Sequence, residues 1–256
     1  MKNICILGAG GSSINIMKEI AMQMELERIK DTTNIKFGLI STSLEDIHRA
    51  QDYGLDILIN KQVESNEDVY EPIINRKITR KIDYLAIGEK ICNGLGTSAS
   101  LEIAEKAFYE SEKNIDSFLK QLLDNIDLVI FAASFGGGNG TVLVPLLVQK
   151  VKDMDIENIS IIGKPFDFEG EKRLDNFNKG IEKLKNKTNE SIIIDSNSNE
   201  ESVIEKFKER DKEFAKVVFK IIRELEKNKN WRSPKRRTTK IRCGHFWRLR
   251  LLLDCC

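Results

Sequence analysis

Three glycine-rich turns hold the residue types best suited to chemistry: Gly8-Ala9-Gly10-Gly11-Ser12-Ser13, Asn93-Gly94-Leu95-Gly96-Thr97-Ser98 and Gly136-Gly137-Gly138-Asn139-Gly140-Thr141. Turns of this kind at the start of a helix suit phosphate groups. Without a Cβ the backbone approaches the anion closely, and free N–H groups together with the positive end of the helix dipole attract it. A merely flexible turn seldom needs four glycines in the five residues 136–140. A P-loop requires Lys and Ser/Thr directly after its glycines, and no such string occurs. A dinucleotide-binding turn requires G-x-G-x-x-G and an acid about 20 residues on. Gly8 and Gly10 fit, but Ser13 stands at the third glycine and the second strand ends in Ser41, which weakens a dehydrogenase reading. His48 reads as a surface residue. No grouping has metal-ligand spacing and no Ser/His/Asp or Cys/His arrangement is visible, so no catalytic residue and no metal ligand is assigned.

The turns need rigid elements to position them. Residues 4–7 form a short apolar run ahead of the first turn, and Ile14, Met17, Ile20, Ala21 and Met24 follow it at helical spacing. Further strands are expected at 35–40, 128–133, 159–162 and 192–194. Helices are expected at 101–123 (one long amphipathic element), 141–151 with Pro145 in its first turns, 172–185 and 201–226. The polar stretch 51–83 reads as loop and irregular pieces. Strands alternating with helices predict an α/β fold of three layers, a mostly parallel sheet with helices on both faces, and ligands at the carboxyl ends of the strands. All three glycine turns then converge on one edge.

The order of motifs resembles the tubulin/FtsZ family. Phe135-Gly136-Gly137-Gly138-Asn139-Gly140-Thr141 is similar to its G-G-G-T-G-[ST]-G signature, with Asn139 for the first Thr and Val142 for the last Gly. Leu7 to Asn15 looks like its first phosphate loop, I-G-V-G-G-G-G-x-N. Ile87-Gly88-Glu89-Lys90 through Gly94-Leu95-Gly96-Thr97 looks like its I-G-x-x-L-T-R-G-L-G-A segment. Lys164-Pro165-Phe166-Asp167-Phe168-Glu169-Gly170-Glu171-Lys172-Arg173 is close to K-P-F-x-F-E-G-x-x-R. The resemblance implies a Rossmann-like GTP/GDP-binding domain, with Mg²⁺ accompanying the nucleotide. Gly10, Gly11, Ser12 and Asn15 would contact the nucleotide from the first turn, with Gly94 and Gly96 nearby. Gly136, Gly137, Gly138, Asn139, Gly140 and Thr141 would wrap the phosphates. Glu169 would accept from the ribose, and Arg173 would lie near the phosphates. Phe207 and Asp211 match F-x-x-x-[ND] on the family's central helix and, four residues apart, share a face. Phe207 would stack on a purine, while Asp211 would accept N1–H and N2–H₂ of guanine, a pairing adenine cannot offer. Head-to-tail filament contacts with a second copy or with a full-length homologue are also implied.

Other features depart from that pattern. Ser41-Thr42-Ser43 replaces the family's N-T-D, and no acid follows the central helix until Asp254, where relatives carry an acidic loop that completes a neighbour's active site. The 256 residues carry 41 basic and 40 acidic side chains, yet the 29 residues 228–256 hold nine Lys/Arg against Asp254 alone. They also hold both tryptophans and three of the five cysteines. This break predicts a GTP-binding domain at 1–227 and a basic tail at 228–256, too short for the family's second domain. The tail reads as the product of a switched frame or truncation. A basic arm for nucleic acid or anionic lipid, and lipidation at Cys255-Cys256, are alternatives. The expectation is therefore a GTP-binding, tubulin-like, FtsZ-type protein of cell division with impaired hydrolysis. A non-hydrolysing regulator or cap of a homologous filament, and a DNA-segregation tubulin, are the alternatives. With no apolar run of about 18 residues, no span is expected, and the absence of a targeting segment ahead of the first strand predicts the cytoplasm.

Overall fold

A computed structural model describes residues 3–26, 34–52, 55–61, 74–185, 187–195, 202–227 and 237–242. Strand β1 (Asn3–Ala9) lies beside β2 (Asn34–Ser41) on one side and β6 (Leu128–Ser134) on the other, both parallel to it. Outward from β2 comes β5 (Asp83–Ala86); outward from β6 come β7 (Glu157–Gly163), β8 (Glu190–Asp195) and β9 (Arg237–Arg242). The sheet order is β5-β2-β1-β6-β7-β8-β9, and every pairing is parallel. The chain reverses its direction of travel across the sheet between β1 and β6. In open parallel sheets this is where loops diverge and leave a crevice.

Side-chain alternation with period 2 assigns each strand residue to a layer. Ile4 and Ile6 join Leu128, Ile130, Ile159 and Ile161 against α1 (Ser12–Leu26) and α8 (Val203–Lys227). Cys5 and Leu7 join Val129 and Phe131 against α5 (Glu112–Leu122), α6 (Asn139–Asp153) and α7 (Glu171–Leu184). Helices on both faces give the expected three layers. The largest wholly buried side chains include Phe108, Phe131 and Phe214, each contributing roughly 1.5–3 kcal/mol by burial.

Two sequence expectations change. The stretch 51–83 is not irregular. It contains β3 (Leu55–Lys61) and β4 (Ile74–Arg80), an antiparallel pair outside the main sheet, followed by β5. The single helix expected at 101–123 is two, α4 (Leu101–Glu110) and α5, broken at Ser111. Buried Ser111 accepts a hydrogen bond at Oγ from Gly88 N (2.9 Å), a tertiary bond that fixes the break. In the basic tail, β9 runs beside β8; the remainder of 228–256, including Trp231, Trp247, Asp254 and Cys255-Cys256, lies outside the described residues. No helix among the described residues is long and apolar enough to cross a membrane.

Candidate functional site

The first turn leaves β1 with Gly10 at φ +80°, a backbone angle that disfavours residues with a Cβ. Ser13, at the place of the missing third glycine, is wholly buried; its Oγ accepts from Ala9 N (3.0 Å) and donates to Ala9 O (3.2 Å), closing the turn. Across the crevice, Asn139 begins α6 and packs so close to Gly10 that a Cβ there would lie 3.0 Å from Asn139 Cβ. Asn139 is also held from β2: Thr42 Oγ1 donates to Asn139 Oδ1 (2.9 Å), and Asn139 Nδ2 donates to Ser41 Oγ (3.2 Å). The ends of β1, β2 and β6 are thereby one polar cluster.

The other turns lock onto it. A Cβ on Gly138 would collide with Thr97 Oγ1 and Ser100 O, so only glycine lets the loop after β6 meet the segment before α4. That segment is tied to β2's end by Gly96 N donating to Thr42 O (3.2 Å) and Leu44 N donating to Gly94 O (2.9 Å). Thr141 is buried, and its Oγ1 accepts from Gly136 N (2.8 Å), shaping the loop from inside. Asn176 on α7, which sequence reasoning missed, donates from Nδ2 to both Ala99 O and Gly136 O (3.1 Å each). One buried amide thus spans two phosphate-type loops. Its signal in the sequence is slight, a polar residue on the helix's otherwise apolar face.

Two expected contacts already have partners. Glu169 accepts from Phe166 N at Oε1 (2.9 Å) and from Arg173 Nη1 at Oε2 (3.0 Å), an i,i+4 pair. Asn15 is exposed and accepts from Arg49 Nη2 (3.0 Å).

Beyond them lies an aromatic wall. Phe166 and Phe168 stack with centroids 5.1 Å apart, and Phe207 meets both edgewise at 4.9 and 6.3 Å. The Arg210 guanidinium lies over the Phe207 and Phe166 rings at 4.8 and 5.2 Å. Asp211 follows on α8, largely buried, its Oδ1 without a hydrogen bond and 3.8 Å from Arg210 Nε. Burial pushes its carboxyl from an ordinary 3.8 up to about 7; Arg210 opposes the rise and Glu19 of α1 adds to it. A buried acceptor left unfilled is costly, which makes it a prime position for a ligand's donor.

Asp46 on α2 (Leu44–Asp52) is the other acid of note and was not foreseen, since its sequence context is that of a solvated helix. Its carboxylate abuts Gly11, Oδ2 accepts from Ser41 Oγ (2.7 Å), and burial raises its pKa. Among the described residues no group of three or more His, Cys, Asp or Glu could hold a metal. A cation here would take most of its ligands from phosphate oxygens and water, with the Asp46 carboxylate as a hard oxygen donor suited to Mg²⁺.

Residues 3–203 match the model described as Tubulin/FtsZ family, GTPase domain. The chain belongs to that family. Among relatives of this tubulin/FtsZ domain, the cell division protein FtsZ of Aquifex aeolicus (strain VF5) is 34% identical over 159 residues, covering 60% of this chain and 41% of the relative. FtsZ of Methanothermobacter thermautotrophicus is 28% identical over 190 residues, covering 72% of this chain and 46% of the relative. The chain thus spans less than half the length of these relatives. Among solved structures, an empty FtsZ dimer from M. jannaschii superposes with TM-score 0.65 at 22% identity, covering 89% of this chain and 56% of that one. The GTPγS-bound protofilament of CetZ2 from Haloferax volcanii gives 0.67 at 15% identity, covering 88% and 59%. At these identities the superpositions speak for the fold, which is that of the tubulin/FtsZ GTPase domain.

Proposed function

We propose that this domain binds GTP and GDP, with Mg²⁺ accompanying the nucleotide, in the crevice between β1 and β6. The observation that carries this reading is Asp211: a buried carboxylate whose Oδ1 makes no hydrogen bond, one helical turn from the Phe207 ring. Guanine offers N1–H and N2–H₂ to such a carboxylate, and Phe207 supplies apolar area for the purine. Backbone N–H groups of residues 137–140 and of the turn at Gly10, Gly11 and Ser12 take the phosphates, with Gly94 and Gly96 supporting from the flank. Thr141 and Asn176 fix the loops' shape. Arg173 supplies a fixed positive charge, and Glu169 holds it while facing the sugar.

On the same edge, Leu44 (45% exposed), Ile91 (39%) and Leu95 (85%) form an apolar rim beside the phosphate turns. Such a rim fits a second tubulin-like subunit docked head to tail over the nucleotide. Relatives named as cell division proteins and neighbours described as a dimer and a protofilament favour a filament-related role in the cytoplasm. The lack of an acid after α8 until Asp254 favours slow hydrolysis in this chain.

Titration with GTP, GDP and ATP in Mg²⁺ tests the reading. GTP and GDP should bind and ATP much less; equal affinity, or none, overturns it. Asp211→Ala should remove about 2–4 kcal/mol of guanine preference, whereas Phe207→Ala weakens both nucleotides alike.

A further inference from the structure

We infer that Asp46 makes phosphate binding at this site conditional on a divalent cation, its carboxylate lying beside Gly11 where it repels a bare phosphate and grips one through an intervening hard cation. The inference rests on the nucleotide reading above and names a residue outside the glycine turns and the base pocket.

The geometry is specific. Asp46 sits in the first turn of α2, and its Oδ1 is the atom nearest the face of Gly11 that a Cβ would occupy. Gly11 immediately precedes α1, whose positive end attracts anions. Asp46 therefore holds the kind of position a phosphate oxygen favours. It is anchored there: Oδ2 accepts a hydrogen bond from the Ser41 hydroxyl, and Ser41 Oγ in turn accepts from Ser43 N (3.1 Å) and Asn139 Nδ2 (3.2 Å). The carboxylate is thus wired into the residues that shape the loops after β2 and β6. Of the charges nearby, Glu45 repels it and Arg49 attracts it, while the Arg49 guanidinium also donates to Asn15 Oδ1. A nucleotide tail entering this half-buried cleft brings further negative charge against the carboxylate, in surroundings that screen it less than bulk water does. A hard divalent cation resolves the conflict, because Mg²⁺ is held by one or two carboxylates plus substrate phosphates and retained waters.

The test is GDP binding by the full chain and by Asp46→Asn, each in EDTA and in millimolar Mg²⁺, with thermal melts of both proteins without nucleotide. The wild-type chain should bind GDP at least about tenfold more tightly in Mg²⁺. Asp46→Asn should bind more tightly than wild type in EDTA, lose most of the gain from Mg²⁺, and melt no lower. An Asp46→Asn protein that keeps the full Mg²⁺ gain, or that weakens equally in both buffers, overturns the inference. Wild-type binding of equal strength in both buffers overturns it too, while leaving the guanine-nucleotide reading intact. Failure of the wild-type chain to bind GDP or GTP in either buffer overturns both.

Discussion

Asp211 carries two opposed demands on one carboxylate. Buried and raised to about 7, it holds a proton in the folded chain at pH values where the unfolded chain, titrating near 3.8, has lost it. The folded state then binds more protons than the unfolded, so the group's contribution to stability is full below 3.8, declines as pH rises, and is lost once pH passes about 7. Asp211→Asn should therefore melt higher than wild type at pH 8, with the gap shrinking through that window toward acid. Guanine needs the ionised form, so GDP affinity of the wild type should rise between pH 6 and 8 and stay flat in Asp211→Asn; a flat wild-type profile would reject the pairing. Phe207 and Asp211 were singled out in the sequence by their resemblance to the family's F-x-x-x-[ND], and both lie on α8, with Phe207 in the aromatic wall. The burial that retunes Asp211 was not legible, because it comes from packing across elements, with Glu19 of α1 adding to the rise and the neighbouring Arg210 opposing it. Asp46 stayed hidden for a similar reason: an Asp in a helix's first turn ordinarily serves the helix dipole, and only the fold brings it to Gly11.

At the scale of elements, the strand–turn–helix units were readable because short unbroken apolar runs such as β6 end in glycine-rich turns, and apolar positions then recur at helical spacing, as in α1. The break at Ser111 was not, because apolar spacing continues through it and the bond from Gly88 is long-range. The β3–β4 pair was missed as well, because the apolar residues of β3 and β4 sit within a stretch that is otherwise polar and charge-mixed. Junctions between elements carry the sharpest steric requirement. Gly138→Ala would drive a methyl into Thr97 and the Ser100 carbonyl, backbone that cannot swing aside. It should cost about 1–3 kcal/mol of stability by overpacking, and it should lower nucleotide affinity more than tenfold by displacing the loop after β6. Gly137, whose added Cβ would meet nothing within 4 Å, serves as the control; Gly137→Ala should leave the melting temperature nearly unchanged.

For the whole molecule, parallel strand order brings every phosphate-type turn to one edge, and this convergence was predictable from chain order alone. The proposed absence of a trans-acting acid gives a kinetic expectation. GTP turnover per subunit should be slow and independent of protein concentration, then rise when an intact FtsZ able to dock its acidic loop is added. Specific activity that climbs with concentration in the isolated chain would reject the assignment of slow hydrolysis. The interlocking of the turns also bears on exchange. Gly10 rests on Asn139, Gly138 on Thr97, Gly94 on Leu44 and Gly11 on Asp46, so the loops interlock through close contacts. No single loop can lift away without dislodging its neighbours. The cradle is consequently held in shape by its own contacts, and nucleotide should come and go at rates set by those contacts. Only a second subunit seated over the rim of Leu44, Ile91 and Leu95 would convert that open dish into a trap, so that the lifetime of the bound nucleotide would become the lifetime of the contact between subunits.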